Sequence, residues 1–228
     1  MLHIEAVAPE LKRTLDSLME WRELDQFCLA GGTSLALRFG FRESDDIDLF
    51  SPSEYDSSVM SRRLELFLPG CDIESVSKGS ITAYYKGIKL DILQHVYKEV
   101  ARQETIDGVR LSSIPDISAM KINAVSRRGS KKDFSDLLYL HQNGTPLLLS
   151  VQNYESKYGD PGLFSAVKSL TYFEDTKGEP DPRYRNGWTW ADVRRQMNIL
   201  GQEVQTHYNQ MWELERQRQH GKDPPSLA

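Results

Sequence analysis

Cysteine is scarce in this chain. Its 228 residues include only Cys28 and Cys71, too few for a disulfide framework or a four-thiolate zinc site. That scarcity predicts a reduced, cytoplasmic setting. Long apolar runs are missing as well: no stretch of about 18 apolar residues occurs, so no bilayer-spanning helix is expected. Glu5, Glu10, Arg13, Asp16 and Glu20 interrupt the first thirty residues, so no signal-peptide core is expected there. A basic excess is also lacking. Lys and Arg number 28 against 33 Asp and Glu, a formal charge of −5, so a polyanion would need a local patch rather than a global field. There is no internal repeat and no low-complexity tract. What remains is ordinary: 39% hydrophobic and 27% charged residues fit a globular chain able to bury a core without crosslinks.

The hydrophobic periods, read in order, predict an α+β protein. Residues 10–24 read as a helix with Leu11, Leu15, Leu18 and Met19 on one face. A short apolar run at 27–30 ends at Gly31-Gly32, and Thr33 is the expected N-cap of a short helix over 35–38. Residues 46–50 are strand-like and closed by Pro52. Ser53 would cap a helix reaching about residue 68, with Pro69-Gly70 as its stop. Strands are expected at 73–76, 81–86 and 88–93, the last two as a hairpin across Gly87. Helices are expected at 116–126 and 133–141, with the basic loop 127–132 between them. Past Gly144 the pattern is helical at 147–170 with a break at 159–162, loop-like at 174–187, and helical and polar at 190–218, with a frayed end at 221–228. The expected organisation is an α+β core over residues 1–145 and a helical C-terminal region over 146–228.

The sharpest chemical signal is Asp46-Ile47-Asp48-Leu49-Phe50. Side chains at i and i+2 of a strand share a face, so Asp46 and Asp48 point one way while Ile47 and Leu49 point to a core. Unpaired carboxylates about 6 to 7 Å apart repel, and a divalent cation removes that penalty. Mg²⁺ is suited to one or two carboxylates completed by phosphate oxygens and water. In Lys89-Leu90-Asp91, Asp91 falls on the polar face of its own strand with Lys89 beside it. If the two strands are neighbours, three carboxylates converge, an arrangement suited to phosphoryl or nucleotidyl transfer. Gly31-Gly32-Thr33-Ser34 is the phosphate candidate, because glycines admit a phosphate close to free N–H groups at a helix start. It is not a P-loop, since no Gly-Lys-Ser/Thr follows.

These pieces together resemble the AbiEii/AbiGii toxin family of nucleotidyltransferases, within the polymerase-beta-like superfamily. The resemblance lies in Gly31-Gly32-Thr33-Ser34-Leu35-Ala36-Leu37 and in Arg42-Glu43-Ser44-Asp45-Asp46-Ile47-Asp48-Leu49-Phe50. It continues in Lys89-Leu90-Asp91, in Asp116-Ile117-Ser118-Ala119-Met120-Lys121, and in Lys131-Lys132-Asp133-Phe134-Ser135-Asp136-Leu137. It implies a mixed β-sheet flanked by helices with a variable helical region after it. It implies transfer of a nucleoside monophosphate from an NTP with release of pyrophosphate, in a toxin paired with an antitoxin or serving phage defence, with RNA, and tRNA in particular, as acceptor. Carried onto this chain, Asp46, Asp48 and Asp91 become metal ligands, Asp91 alternatively the general base. Gly32, Thr33, Ser34 and Lys89 become nucleotide-binding residues, Lys121 reaches the triphosphate or base, and Asp136, with Asp133 as alternative, completes the site.

The residues themselves leave alternatives. Lys121 also reads as a surface lysine of its helix. Asp133 and Asp136 share a helix face and suit a first turn through the helix dipole, a reading that fits Asp133 better. The loop Arg127, Arg128, Lys131 and Lys132 is either solvated or in contact with triphosphate or RNA backbone. Arg183, Tyr184, Arg185, Trp188 and Trp190 fit either single-stranded nucleic acid or packing against the core. A small-molecule nucleotidyltransferase, a protein acceptor, and an NTP-binding module without transfer are the rival functions.

Overall fold

Alternating burial along residues 46–51, 80–85 and 88–94 sets the two faces of one mixed sheet. A computed structural model describes residues 1–159 and 161–220; the end expected to fray, 221–228, lies outside the described residues. The strands are β1 (Cys28–Leu29), β2 (Asp46–Ser51), β3 (Asp72–Ser77), β4 (Ser80–Tyr85), β5 (Ile88–Gln94), β6 (Glu104–Ile106) and β7 (Val109–Leu111). Among the described residues they lie in the order β3-β4-β5-β2-β1-β7-β6. β2 runs parallel to β5 and β1 parallel to β7, and the other neighbours are antiparallel. The β4–β5 hairpin stands where alternation puts it. The β6–β7 hairpin was not expected. Its turn, Asp107-Gly108, has both residues at positive φ, 49° and 80°, the backbone that an Asp-Gly pair favours in a two-residue hairpin.

The helices are α1 (Pro9–Glu20), α2 (Gly31–Phe39), α3 (Ser57–Phe67), α4 (Ile114–Arg127), α5 (Lys131–Gln142), α6 (Leu147–Tyr158), α7 (Leu163–Ser169) and α8 (Trp190–His220). Side-chain caps shift several starts from their expected positions. Asp56, not Ser53, caps α3, its carboxylate accepting from the N–H groups of Ser58 and Val59 at 2.9 and 3.0 Å. Ser113 accepts from the Asp116 N–H at 3.1 Å and Ser130 from the Asp133 N–H at 3.3 Å. Both are serine N-caps, and they start α4 and α5 two residues early. α2 begins at Gly31, so Thr33 sits inside the first turn and the N-cap position is Ala30.

Two main cores result. One face of the sheet, with Leu29, Ile47, Leu49, Leu90 and Ile92, is covered by α1 and α3. A second core joins α4 and α5 to α6, α7 and α8 through Phe134, Leu137, Val151, Val167 and Met197. This core crosses residue 145. A small cluster of Leu35, Phe41, Ile117 and Leu140 ties α2 to α4 and α5. The polar face of β2 and β5 is thereby turned toward α4 and α5, and a cleft lies between them.

Candidate active site

Strand parity puts the acids in the cleft. Ile47 and Leu49 are fully buried, so Asp46, Asp48 and Phe50 face the other way. In parallel register Asp48 pairs with Asp91, and Asp46 with Lys89. Residues in register on adjacent strands point to the same face, so all three carboxylates and Lys89 share one surface. Asp91 is held there: Thr82 Oγ1 donates to its Oδ1 at 2.7 Å and Lys89 Nζ to its Oδ2 at 2.6 Å. Asp48 has no such partner. Burial first, then the like charges of Asp91 and Asp46, push its carboxyl up to about 6, against the opposing pull of Lys121.

The glycine turn stands directly over Asp48. Gly31 has φ +62°, and a Cβ there would collide with the Asp48 carboxylate. Only glycine combines that backbone with that approach. Gly32 has a similar role on its other side, where a Cβ would meet the Arg42 guanidinium. The hydroxyls of this turn face inward. Thr33 Oγ1 donates to the Asp46 carbonyl, Thr33 and Ser34 are fully buried, and Ser34 Oγ has no partner. Thr33 thus braces the start of β2. What the turn offers a phosphate is its backbone, since the first N–H groups of a helix have no intrahelical partner.

Behind the acids runs a ladder of alternating charge. Arg42 is buried and donates Nε and Nη2 to the two Asp136 oxygens at 2.6 and 2.9 Å. Lys121 Nζ lies 2.6 Å from Asp136 Oδ2 and 2.9 Å from Asp133 Oδ1. Arg128 closes the series at 3.1 Å from Asp133 Oδ2. Burial opposes the Lys121 charge, but Asp133 and Asp136 outweigh it and hold the ammonium above its usual range. Burial likewise opposes the Asp133 charge, yet Lys121 and Arg128 hold that carboxyl well below the ordinary range. Lys121 is therefore no surface lysine. Asp136 is fully enclosed and borders no open space; its contribution is to fix Arg42 and Lys121 from behind. Asp133 lies in the first turn of α5, donates its N–H to the Ser130 cap, and also borders the cleft.

The cleft has two arms that meet at Gly31, Asp48, Lys121, Arg128 and Asp133. One arm adds Gly32, Arg42, Asp46 and Lys132, so its lining carries four cations against three carboxylates. The other, of about 340 Å³, runs past Asp91 between Phe50, Leu93 and Met120 to His95 and Tyr158. Lys89 borders neither arm; it stays on Asp91. Arg42, which the motifs leave without a role, and Arg128, expected either to be solvated or to contact triphosphate or RNA, are integral here. Arg42 sits inside the matched stretch 42–50, and Arg128 inside the basic loop. Lys131, from the same loop, is instead spent on Glu179 and Asp181 of the segment after α7, at 2.7 Å and 2.9 Å. The aromatic and basic loop packs rather than waits: Tyr184 bonds Ser135 at 2.7 Å, Trp188 lies against Tyr139, and Trp190 against Phe134. Arg183 pairs with Glu43 and Asp45.

Among the described residues, no three His, Cys, Asp or Glu side chains are close enough to form a complete metal ligand set. The donor chemistry nonetheless fits Mg²⁺. Asp46 and Asp48 are two same-face carboxylates, Asp48 is charged only against resistance, and substrate phosphate and water supply the remaining oxygens of such sites.

Residues 13–194 match the family described as nucleotidyl transferase AbiEii toxin of the type IV toxin–antitoxin system. The chain belongs to the AbiEii family. It is a nucleotidyltransferase. An uncharacterized protein of Aquifex aeolicus (strain VF5) is 34% identical over 175 residues, which is 75% of this chain and 84% of that relative. Two solved Helicobacter pylori structures share the fold at 15% identity. One, described as a candidate nucleotidyltransferase, has a TM-score of 0.54 and covers 88% of this chain and 94% of its own. The other, JHP933, has a TM-score of 0.53 and covers 92% and 94%. The AbiEii match runs from within α1 to the start of α8, so it includes every residue of both arms of the cleft. No helix among the described residues is long and apolar enough to cross a membrane.

Proposed function

We propose that this AbiEii nucleotidyltransferase moves a nucleoside monophosphate from an NTP onto a hydroxyl of RNA, with tRNA the first acceptor to test, and that it acts as a toxin held by a cognate antitoxin. The observation that carries the reading is the pairing of Asp48 with Asp91 on one sheet face, beside an arm lined by Gly31, Gly32, Lys121, Arg128 and Lys132. Asp46 and Asp48 would hold Mg²⁺, which supplies charge neutralisation at the α-phosphate. Asp91, fixed by Thr82 and Lys89, takes the proton of the attacking hydroxyl. The hydroxyl oxygen bonds to the α-phosphorus, the bond to the bridging oxygen breaks, and pyrophosphate leaves into the cationic arm. There Lys121, Arg128 and Lys132, with the N–H groups of the glycine turn, meet the developing charge. Exposed Arg127, bordering one arm, and Lys132, bordering the other, would supply local positive charge for an acceptor backbone, as the net charge requires. Two free cysteines, both buried, are consistent with a cytoplasmic setting.

The test is pyrophosphate release with each NTP, Mg²⁺ and total RNA, in wild type and Asp48→Asn. Release that requires RNA and vanishes in the variant supports the reading. Equal release by both proteins, or none with any NTP and RNA, overturns it. Turnover on small hydroxylated molecules without RNA would favour the small-molecule alternative.

A further inference from the structure

The proposed chemistry uses the acids and the cationic arm of the cleft, and it leaves the second arm without a role. That arm differs from the first in what it adds: the apolar side chains of Phe50, Leu93 and Met120 and two rings, His95 and Tyr158, beside Asp91 and Arg127. These rings are fixed by their neighbours. His95 stacks on Phe50 with centroids 5.3 Å apart and an interplanar angle of 24°. Tyr158 stands edge-on to His95 at 6.0 Å and to Tyr97 at 4.5 Å. Its hydroxyl lies 3.4 Å from His95 Nε2.

A nucleotide has the same division: a polyanionic chain, a flat base, and the reacting α-phosphorus between them. In the cleft the cationic arm and the aromatic arm diverge from Asp48, where the α-phosphate would sit. We propose that the aromatic arm is the nucleoside subsite, with the base of the NTP stacked at Tyr158 and His95 and enclosed by Phe50, Leu93 and Met120. This rests on the nucleotidyl-transfer reading above and adds the residues that bind the base. Stacking accepts any base face, so these rings supply affinity for a nucleotide over bare polyphosphate. They also set the reach of the nucleoside and fix the α-phosphorus at Asp48.

The experiment is calorimetric titration of the full chain, with Mg²⁺ and without acceptor, using each of the four NTPs and inorganic tripolyphosphate. The best-bound NTP is expected to bind about tenfold or more tightly than tripolyphosphate. Tyr158→Ala removes that advantage and leaves tripolyphosphate unchanged, which also reports an intact fold. Tyr158→Phe keeps the ring and binds NTP as wild type does. Ala124→Trp fills the same arm from α4, so it loses NTP and keeps tripolyphosphate whatever happens at position 158. NTP binding that is undiminished in both Tyr158→Ala and Ala124→Trp overturns the subsite while the transfer reading stands. Wild type that binds neither NTP nor tripolyphosphate overturns both.

Discussion

The two charged regions of this molecule are built on opposite principles. On the sheet face, Asp46, Asp48 and Asp91 have one cation among them, Lys89 paired to Asp91, and Asp48 carries a carboxyl pushed up to about 6 despite the pull of Lys121. Between α2, α4 and α5, by contrast, Arg42, Asp136, Lys121, Asp133 and Arg128 alternate in sign, and every charge has a partner. The first region stores an unmet demand for positive charge, which a divalent ion and substrate satisfy. The second meets its own demand and therefore behaves as structure. Its middle member, Lys121, and one end, Arg128, still border the cleft, so the ladder holds in place an ammonium that would otherwise be costly to bury. A charged residue near a site is thus read by its electrostatic balance, not by proximity alone.

Breaking the balanced region should cost the most stability. Asp136→Ala leaves Arg42 and Lys121 facing each other in a closed space, and loss of one partner of a buried pair costs about 3–5 kcal/mol. Urea unfolding should show that loss, and a variant within 0.5 kcal/mol of wild type would show that the ladder is not holding the fold. Lys121→Ala belongs to the same class and should destabilise as well as impair NTP binding, because it removes the cation between Asp133 and Asp136 and leaves each with a single partner, Arg128 and Arg42. Asp48→Asn should do the reverse: its transfer rate falls by about 10²–10³-fold, a barrier change of about 3–4 kcal/mol, while its melting temperature in metal-free buffer holds or rises. Parallel loss of activity and stability in that variant would place Asp48 with the structural acids.

The pH dependence separates the regions next. A carboxyl raised to about 6 in the folded state, against an ordinary 3.8, binds its proton more tightly when folded. Its contribution to stability is therefore present below about pH 4 and lost as pH rises through 6. Metal-free wild type should lose about 1–3 kcal/mol over that interval relative to Asp48→Asn, and Mg²⁺ should reverse the loss. Asp133 has the opposite sign: its depressed carboxyl contributes stability above the ordinary carboxylate range and loses it only in stronger acid. Parallel pH curves for wild type and Asp48→Asn between 4 and 7 would remove this distinction. The smallest effect belongs to exposed Lys132. Lys132→Ala should weaken NTP a few-fold with no change in melting temperature, since solvated charges contribute little to stability; a large destabilisation would mean that it packs.

Local rules made part of the site legible. Period-two alternation fixed which way Asp46, Asp48 and Asp91 point, because the parity of a strand is a property of neighbouring residues. The glycine pair and the β4–β5 hairpin were legible for the same reason. The β6–β7 hairpin was equally local, and Asp107-Gly108 was the signal that marks it. Helix starts were misplaced where a capping side chain, at Asp56, Ser113 or Ser130, competes with the hydrophobic period. The roles of Arg42, Arg128 and Asp136 were not local. Arg42 and Asp136 lie 94 positions apart, and no spacing rule joins them.

The sequence by itself determined the sign and facing of the carboxylates and the order of strands and helices along the chain, since turn chemistry and side-chain period act over a few residues. Tertiary structure decided which acids stay unbalanced and which are neutralised. That outcome depends on parallel β2–β5 pairing, which sets Asp48 beside Asp91, and on α4 and α5 docking over the same face, which delivers Lys121 to Asp133 and Asp136. Burial strengthens each of these interactions by excluding water, and burial exists only once the elements have met.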